Sequence, residues 1–269
     1  MSKVLLDIDN GIATITLNSP QNFNALDDWM LKDMLVVVGA IEARDDIRVI
    51  VVRGAGKAFC AGGDIVRFSS VGDKVHDVVN SYGPGLQRVV YWMRHTPAIV
   101  VAVVHGAVAG GGVGLMLAAD LAIASEDATF AIAYARLGTS PDAGASYFLA
   151  RTLGYRKALE LYLMSERLDG RAAQALGLVN FTAPAAALEA EADALIRRLA
   201  AGPAVAYASA KRLFRQAADT GLHQHLDDEI RLFSDNTRHP DFAEGMRAFL
   251  EKRAPRFGAG GLPALKENT

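Results

Sequence analysis

Two glycine-rich segments contain the residue types in this chain that are best suited to chemistry. Each follows an apolar, strand-like run, and their sequences are Ala58-Phe59-Cys60-Ala61-Gly62-Gly63-Asp64 and His105-Gly106-Ala107-Val108-Ala109-Gly110-Gly111-Gly112. Glycine allows positive φ angles and close approach of a ligand to the backbone, and a helix N-terminus adds N–H donors and partial positive charge. Two converging N–H groups of this kind would form an oxyanion hole, which stabilises negative charge on a reacting oxygen.

Glycine turns are common in α/β proteins, so neither segment alone identifies a function. Together and in this order they resemble the enoyl-CoA hydratase/isomerase (crotonase) superfamily, and the resemblance runs from about Val4 to about Phe257. It includes Leu17-Asn18-Ser19-Pro20, Asn24-Ala25-Leu26, Val52-Arg53-Gly54, Leu137-Gly138 with Pro141, Glu244-Gly245-Met246 and Phe249-Leu250-Glu251-Lys252-Arg253. The resemblance implies an α/β fold with a crotonase-like ββα spiral core and a C-terminal, all-helical trimerisation region.

The resemblance also implies a binding site for an acyl-CoA thioester. The N–H groups of Ala61 and Gly111 are expected to form the oxyanion hole for the thioester carbonyl. The residues expected to contact the substrate or its CoA are Asn24, Ala25, Leu26, Ala61, Gly62, Gly63, Asp64, Ile65, Gly111, Tyr134, Phe249 and Lys252. Coenzyme A would enter as part of the substrate, and we expect no permanently bound cofactor and no metal.

The acid/base residues differ from those of the best-known members. Hydratases of this superfamily carry two glutamates that hold and activate a water molecule, and the corresponding positions here are Gly114 and Tyr134. A carboxylate is present at Asp142, which resembles the catalytic acid position of Δ3,Δ2-enoyl-CoA isomerases and phenylacetate-pathway isomerases. One carboxylate suffices to move a double bond, since it can take a proton from one carbon and return it to another. The sequence therefore favours an isomerase with Asp142 as its catalytic acid/base.

Several alternatives stay open. Asp142 precedes a helical segment and is also a typical N-cap residue. An enoyl-CoA hydratase with atypical acid/base residues is the second enzymatic hypothesis, a dehalogenase the third, and a non-catalytic protein that binds acyl-CoA or a partner belongs to another class. The remaining polar candidates are better explained structurally: His223 and His225 point to different faces of a helix, so they and His239 do not indicate a metal. His105, Cys60 and Asp120 are expected to have structural roles.

The periodicity of apolar residues indicates the elements that hold these segments. Residues 4–9 and 12–17 flank Asp9-Asn10-Gly11 and predict a β-hairpin. Leu31, Met34, Val38 and Ile41 mark one face of a helix that begins near Asp27. A second helix is predicted over 75–93, strands at 49, 99, 121–124 and 128–131, and a short helix from Gly111. This recurring order of strands and helices predicts a spiral or layered α/β core.

After Asn180 the pattern is helical throughout, with apolar stripes through Leu188, Leu195, Leu226 and Phe233. We therefore divide the chain into a core with the CoA site (residues 1–200), a helical oligomerisation region (201–257) and a flexible tail (258–269). Isolated helices need partners for their apolar faces, and by resemblance we expect a homotrimer or a hexamer.

Composition excludes several other classes of protein. The chain has 269 residues, 51% hydrophobic and 22% charged, which is enough for a substantial core. A net charge of −2 without basic runs argues against nucleic-acid binding. We expect no membrane association, because no apolar run is long enough to span a bilayer. The start lacks signal-peptide features, and a single cysteine, Cys60, fits a reducing compartment, so we expect a cytoplasmic protein.

Overall fold

A computed structural model describes residues 2–258 of the chain, so the predicted tail lies outside the described residues apart from Gly258. The strands are β1 (Val4–Asp9), β2 (Ile12–Leu17), β3 (Val49–Gly54), β4 (Ala58–Cys60), β5 (Ile99–Val104), β6 (Ala107–Ala109), β7 (Leu121–Ser125), β8 (Thr129–Ala131), β9 (Arg167–Leu168) and β10 (Phe181–Ala183). The helices are α1 (Asp28–Glu42), α2 (Ile65–Val71), α3 (Val75–His95), α4 (Gly111–Leu117), α5 (Ala145–Leu153), α6 (Tyr155–Met164), α7 (Gly170–Ala175), α8 (Leu188–Ala200), α9 (Ala204–Gln216), α10 (Leu222–Asn236) and α11 (Pro240–Leu250).

The larger sheet has six strands in the order β1-β2-β3-β5-β7-β10. The hairpin β1–β2 is antiparallel, as predicted, and the other neighbours pair in parallel. Strands β3 and β5 are almost uninterrupted runs of Val and Ile because both faces of this sheet are covered. Val49 and Val51 pack against α8 through Leu188, whereas Ile50 and Val52 belong to the main core.

The smaller sheet has four strands in the order β4-β6-β8-β9, of which β4, β6 and β8 are parallel. Successive strands alternate between the two sheets: β3, β5 and β7 belong to the larger one, and β4, β6 and β8 to the smaller one. Each such pair is followed by helix, so the chain forms three ββα units. The predicted spiral core is therefore confirmed. The short strands β4 and β6 occupy the starts of the glycine-rich segments, where the sequence indicated only loops.

The C-terminal region is helical from α8 to α11, but the prediction of helix throughout after Asn180 is wrong for β10. This strand adds to the edge of the larger sheet by pairing with β7. Helix α9 is joined to the core by the buried Lys211, whose ammonium donates to the carbonyls of Met93 (3.0 Å) and Ala98 (2.9 Å) and pairs with Asp120 at 2.7 Å. The boundary at residue 200 stays a prediction.

None of the helices within residues 2–258 combines the length and the apolar character that crossing a bilayer requires.

Candidate active site

The two glycine-rich segments meet at the carboxyl ends of the parallel strands in the smaller sheet. Strands β4, β6 and β8 run in parallel, so the loops that follow them leave from the same end of the sheet. This end is the usual position of ligand sites in parallel sheets. The backbones are in direct contact: a Cβ atom placed on Gly62 would lie 2.6 Å from the Ala109 oxygen and 3.0 Å from the Gly111 nitrogen. Gly62 also has a φ of 84°, so only glycine fits this position without strain.

The hydrogen bonds at this contact show which backbone N–H groups are free to bind a ligand. The Ala61 N–H donates to the Phe23 carbonyl at 3.0 Å, so it is not available to a ligand and the prediction for this donor is wrong. The N–H groups of Gly63 and Gly111 have no acceptor among residues 2–258. Gly111 is the first residue of α4, where helical N–H groups lack an internal partner. The pair of free donors is therefore Gly63 with Gly111.

The segment Asn24–Leu26 supports the first glycine loop from behind. The fully buried Asn24 side chain donates to the carbonyls of Ala55 (2.9 Å) and Ala58 (2.7 Å). The Leu26 N–H donates to the Gly62 carbonyl at 2.7 Å. These hydrogen bonds orient Gly62 and leave the N–H of the next residue free. Asn24 and Leu26 hold the loop in place, and none of the residues Asn24, Ala25 and Leu26 lines the cavity that the loop faces.

A cavity of about 490 Å³ opens in front of the free donors. The sequence-predicted residues that line it are Ala61, Gly63, Ile65, Gly111, Tyr134 and Asp142. Much of the remaining wall is apolar or aromatic, including Phe68, Val79, Tyr82, Leu137 and Pro141, and Arg136 and Arg167 also reach it. Its size and lining are those of a small-molecule site.

Asp142 is not a helix cap. Helix α5 begins at Ala145, its N-cap residue is Gly144, and no side chain caps it. The Asp142 carboxylate instead accepts a hydrogen bond from the Tyr134 hydroxyl, with 2.7 Å between Oη and Oδ1. It also lies beside the second glycine loop, since a Cβ atom placed on Gly111 would be 3.1 Å from Asp142 Oδ1. The structure thus places a carboxylate next to one of the two free N–H donors.

Position 114, where the family's hydratases carry their first glutamate, has no room for a side chain. A Cβ atom placed on Gly114 would lie 2.5 Å from the Ala143 oxygen and 2.7 Å from the Ala143 Cβ. Real Cβ atoms do not approach other heavy atoms this closely, so Ala143 occupies the space of a side chain at residue 114. Ala143 itself is held in a left-handed conformation with a φ of 50°. A glutamate at position 114 therefore does not fit this backbone unless Ala143, the residue after Asp142, moves.

Burial and the negative charge of Asp142 raise the pKa of three nearby side chains, Tyr82, Cys60 and Tyr134. Burial, together with this charge, raises the pKa of the Tyr82 phenol and of the Cys60 thiol to about 12 each. The same two causes raise the pKa of Tyr134 far above its usual range. All three groups are therefore protonated near neutral pH. In particular, Tyr134 is a permanent hydrogen-bond donor to Asp142.

The other polar candidates lie outside this cavity. His105 Nε2 contacts the Gly56 carbonyl at 3.0 Å, and Asp120 accepts from the Val100 N–H at 2.8 Å, so both have the structural surroundings expected of them. Among residues 2–258, no group of three His, Cys, Asp or Glu side chains is arranged to hold a metal ion. Phe249 and Lys252, at and beyond the end of α11, do not line the cavity, and the expectation that they close over CoA stays a prediction.

Fold and site together define a class of protein: a ββα spiral in which two glycine loops present free N–H groups beside a single carboxylate. The model of the enoyl-CoA hydratase/isomerase family matches residues 7–260, and the chain belongs to this family.

Its relatives include proteins named as enoyl-CoA hydratases and proteins named as isomerases. A probable enoyl-CoA hydratase of Rhodobacter capsulatus is 36% identical, with 93% of this chain and 96% of the relative covered. The 1,2-epoxyphenylacetyl-CoA isomerase of Escherichia coli is 31% identical, with coverage of 96% and 98%. A trans-2-decenoyl-[acyl-carrier-protein] isomerase of Streptococcus mutans is also 31% identical, with coverage of 95% and 97%. Among solved structures, an enoyl-CoA hydratase from a Polaromonas species superposes with a TM-score of 0.89 at 34% identity, covering 95% of this chain and 99% of that one.

Proposed function

We propose that this protein is an acyl-CoA isomerase that moves a carbon–carbon double bond with Asp142 as its only acid/base. The observation that carries the proposal is the position of the Asp142 carboxylate beside the free Gly111 N–H, with no second carboxylate lining the cavity from residues 2–258. The substrate is a thioester of coenzyme A that carries an enoyl chain.

In this mechanism the thioester oxygen accepts hydrogen bonds from Gly63 and Gly111. Asp142 removes a proton from C2 of a 3-enoyl thioester, and the electron pair of the broken C–H bond moves into a dienolate whose charge rests mainly on the oxygen. The two N–H groups bind this oxygen more strongly as its charge grows, which lowers the barrier. Protonated Asp142 then delivers the proton to C4, and the double bond lies between C2 and C3.

The same residues disfavour hydration. A hydratase needs a group that activates water, and the two positions at which the family's hydratases carry glutamate hold Gly114 and Tyr134. A glycine has no side chain, and a tyrosine with a strongly raised pKa is a poor base near neutral pH. Hydration by an atypical residue set is the second candidate, favoured by the hydratase name of the Rhodobacter relative.

The experiment is to incubate the protein with 3-enoyl-CoA and 2-enoyl-CoA in deuterium oxide and to analyse products by NMR and mass spectrometry. We expect interconversion of the two isomers with deuterium at C2 and C4 and no 3-hydroxyacyl-CoA. Accumulation of the hydroxy product would instead support the hydratase. Binding of CoA esters without turnover would support the non-catalytic alternative.

We also propose that the protein assembles with copies of itself as a homotrimer or hexamer. Helices α9–α11 expose large apolar side chains that a soluble single chain would bury: Phe214, Leu222, Ile230, Phe233, Phe249 and Leu250. Unpartnered apolar faces of this size are typical of subunit interfaces. Sedimentation-velocity ultracentrifugation is expected to give three or six times the mass of one chain, and a monomer at micromolar concentration would contradict the proposal.

A further inference from the structure

The two oxygens of the Asp142 carboxylate have different surroundings. Oδ1 accepts a hydrogen bond from the Tyr134 hydroxyl at 2.7 Å, and the same hydroxyl lies 3.4 Å from the Asp142 main-chain oxygen. Oδ2 has no hydrogen-bond donor within residues 2–258. Tyr134 follows β8 and is buried, with only 5% of its surface exposed, so its ring is held by the core. A rigid donor thus contacts one oxygen and leaves the other free.

We propose that Tyr134 is a positioning residue for Asp142: its hydroxyl holds Oδ1 so that Oδ2 alone takes up the proton and returns it. This inference rests on the proposed function. When the C2–H bond breaks, a bond from Oδ2 to hydrogen forms, and Tyr134 continues to donate to Oδ1, which is then the carbonyl oxygen of the acid. When the C4–H bond forms, the Oδ2–H bond breaks and the carboxylate is restored. One oxygen therefore serves both carbons on a single face of the substrate.

The ionisable groups around Asp142 leave it as the acid/base group of this cavity. Tyr134, Tyr82 and Cys60 all have raised pKa values, the latter two at about 12. Arg136 and Arg167 also line the cavity, and arginine keeps its charge in proteins. No histidine is part of the cavity wall formed by the described chain. Asp142 is thus the one group of this wall that is placed to take up and return a proton.

The test is Tyr134→Phe, which keeps the ring and removes the hydroxyl. We expect kcat to fall about tenfold, with KM changed by less than about twofold, because orientation and not binding is lost. Retention of deuterium during transfer from C2 to C4 in ordinary water is expected to fall as well.

The matched control is Tyr162→Phe. The Tyr162 hydroxyl donates to the Thr139 carbonyl at 3.0 Å, so it contacts the same loop without contacting Asp142. This variant is expected to leave kcat, KM and the retention of deuterium unchanged.

The outcomes separate this inference from the proposed function. A Tyr134→Phe protein that keeps the wild-type kcat and the wild-type retention of deuterium, while Asp142→Asn is inactive, would overturn the positioning role alone. Isomerisation that survives Asp142→Asn would overturn the proposed function and with it any role of Tyr134 in proton transfer. A lower kcat and a lower retention of deuterium in Tyr134→Phe, with KM unchanged and Tyr162→Phe like the wild type, would support the inference.

Discussion

Replacing Asp142 with asparagine is expected to slow double-bond migration by about 10²- to 10⁴-fold, the usual contribution of a positioned acid/base. Asparagine has nearly the same shape, and its amide oxygen can still accept the Tyr134 hydrogen bond that Oδ1 accepts at 2.7 Å. The fold and the cavity should therefore be preserved, and substrate binding with them. The measurement is the rate of isomerisation and of deuterium incorporation at C2 and C4, with KM and thermal stability recorded in parallel.

The control for this variant is Asp45→Asn, which removes one carboxylate from an exposed position beyond the end of α1. It should leave the rate unchanged, so any loss in Asp142→Asn cannot be ascribed to net charge. A second result separates the two enzymatic hypotheses. If water addition persists in Asp142→Asn while isomerisation is lost, the protein has another acid/base system, and the single-carboxylate mechanism is wrong.

The sequence predicted the parts of the fold that depend on continuous apolar runs. Strands β3 and β5 are recognisable because a parallel sheet covered on both faces needs apolar residues at successive positions. The glycine-rich segments after these runs indicate loops, and the cavity lies where the segments continue beyond β4 and β6 of the smaller sheet. The three-residue strands β4 and β6 could not be predicted in the same way, since they are too short to show a period.

The error at Ala61 shows what sequence alone cannot decide. Which N–H of a loop is free depends on the direction of each peptide unit, and here the Phe23 carbonyl takes the Ala61 N–H. Gly62, with its positive φ, then turns the chain so that the following N–H has no partner. The contact of Tyr134 with Asp142 was equally unpredictable, because it joins residues eight positions apart across a single 3-10 turn (Ala135–Leu137) and a loop that show no sequence period.

Gly114→Ala is expected to have the second largest effect, although it adds a single methyl group. The new Cβ would lie 2.5 Å from the Ala143 oxygen, so either α4 or the Asp142 loop must move. Overpacking of this kind costs about 1–3 kcal/mol of unfolding free energy. Displacement of Asp142 by even about 1 Å is expected to reduce kcat by about 10²-fold. Chemical denaturation and the isomerisation assay measure the two effects.

Gly39→Ala supplies the matched control within α1. A Cβ atom at Gly39 has no neighbour within 4 Å, so alanine there should stabilise the helix by about 0.5–1 kcal/mol without changing the rate. If Gly114→Ala also kept full activity and stability, the Asp142 loop would not be packed against α4 as described.

The overlap at Gly114 has a further consequence for hydration. Because even the methyl group of alanine overlaps Ala143, Gly114→Glu should not create a hydratase unless the Asp142 loop is remodelled at the same time.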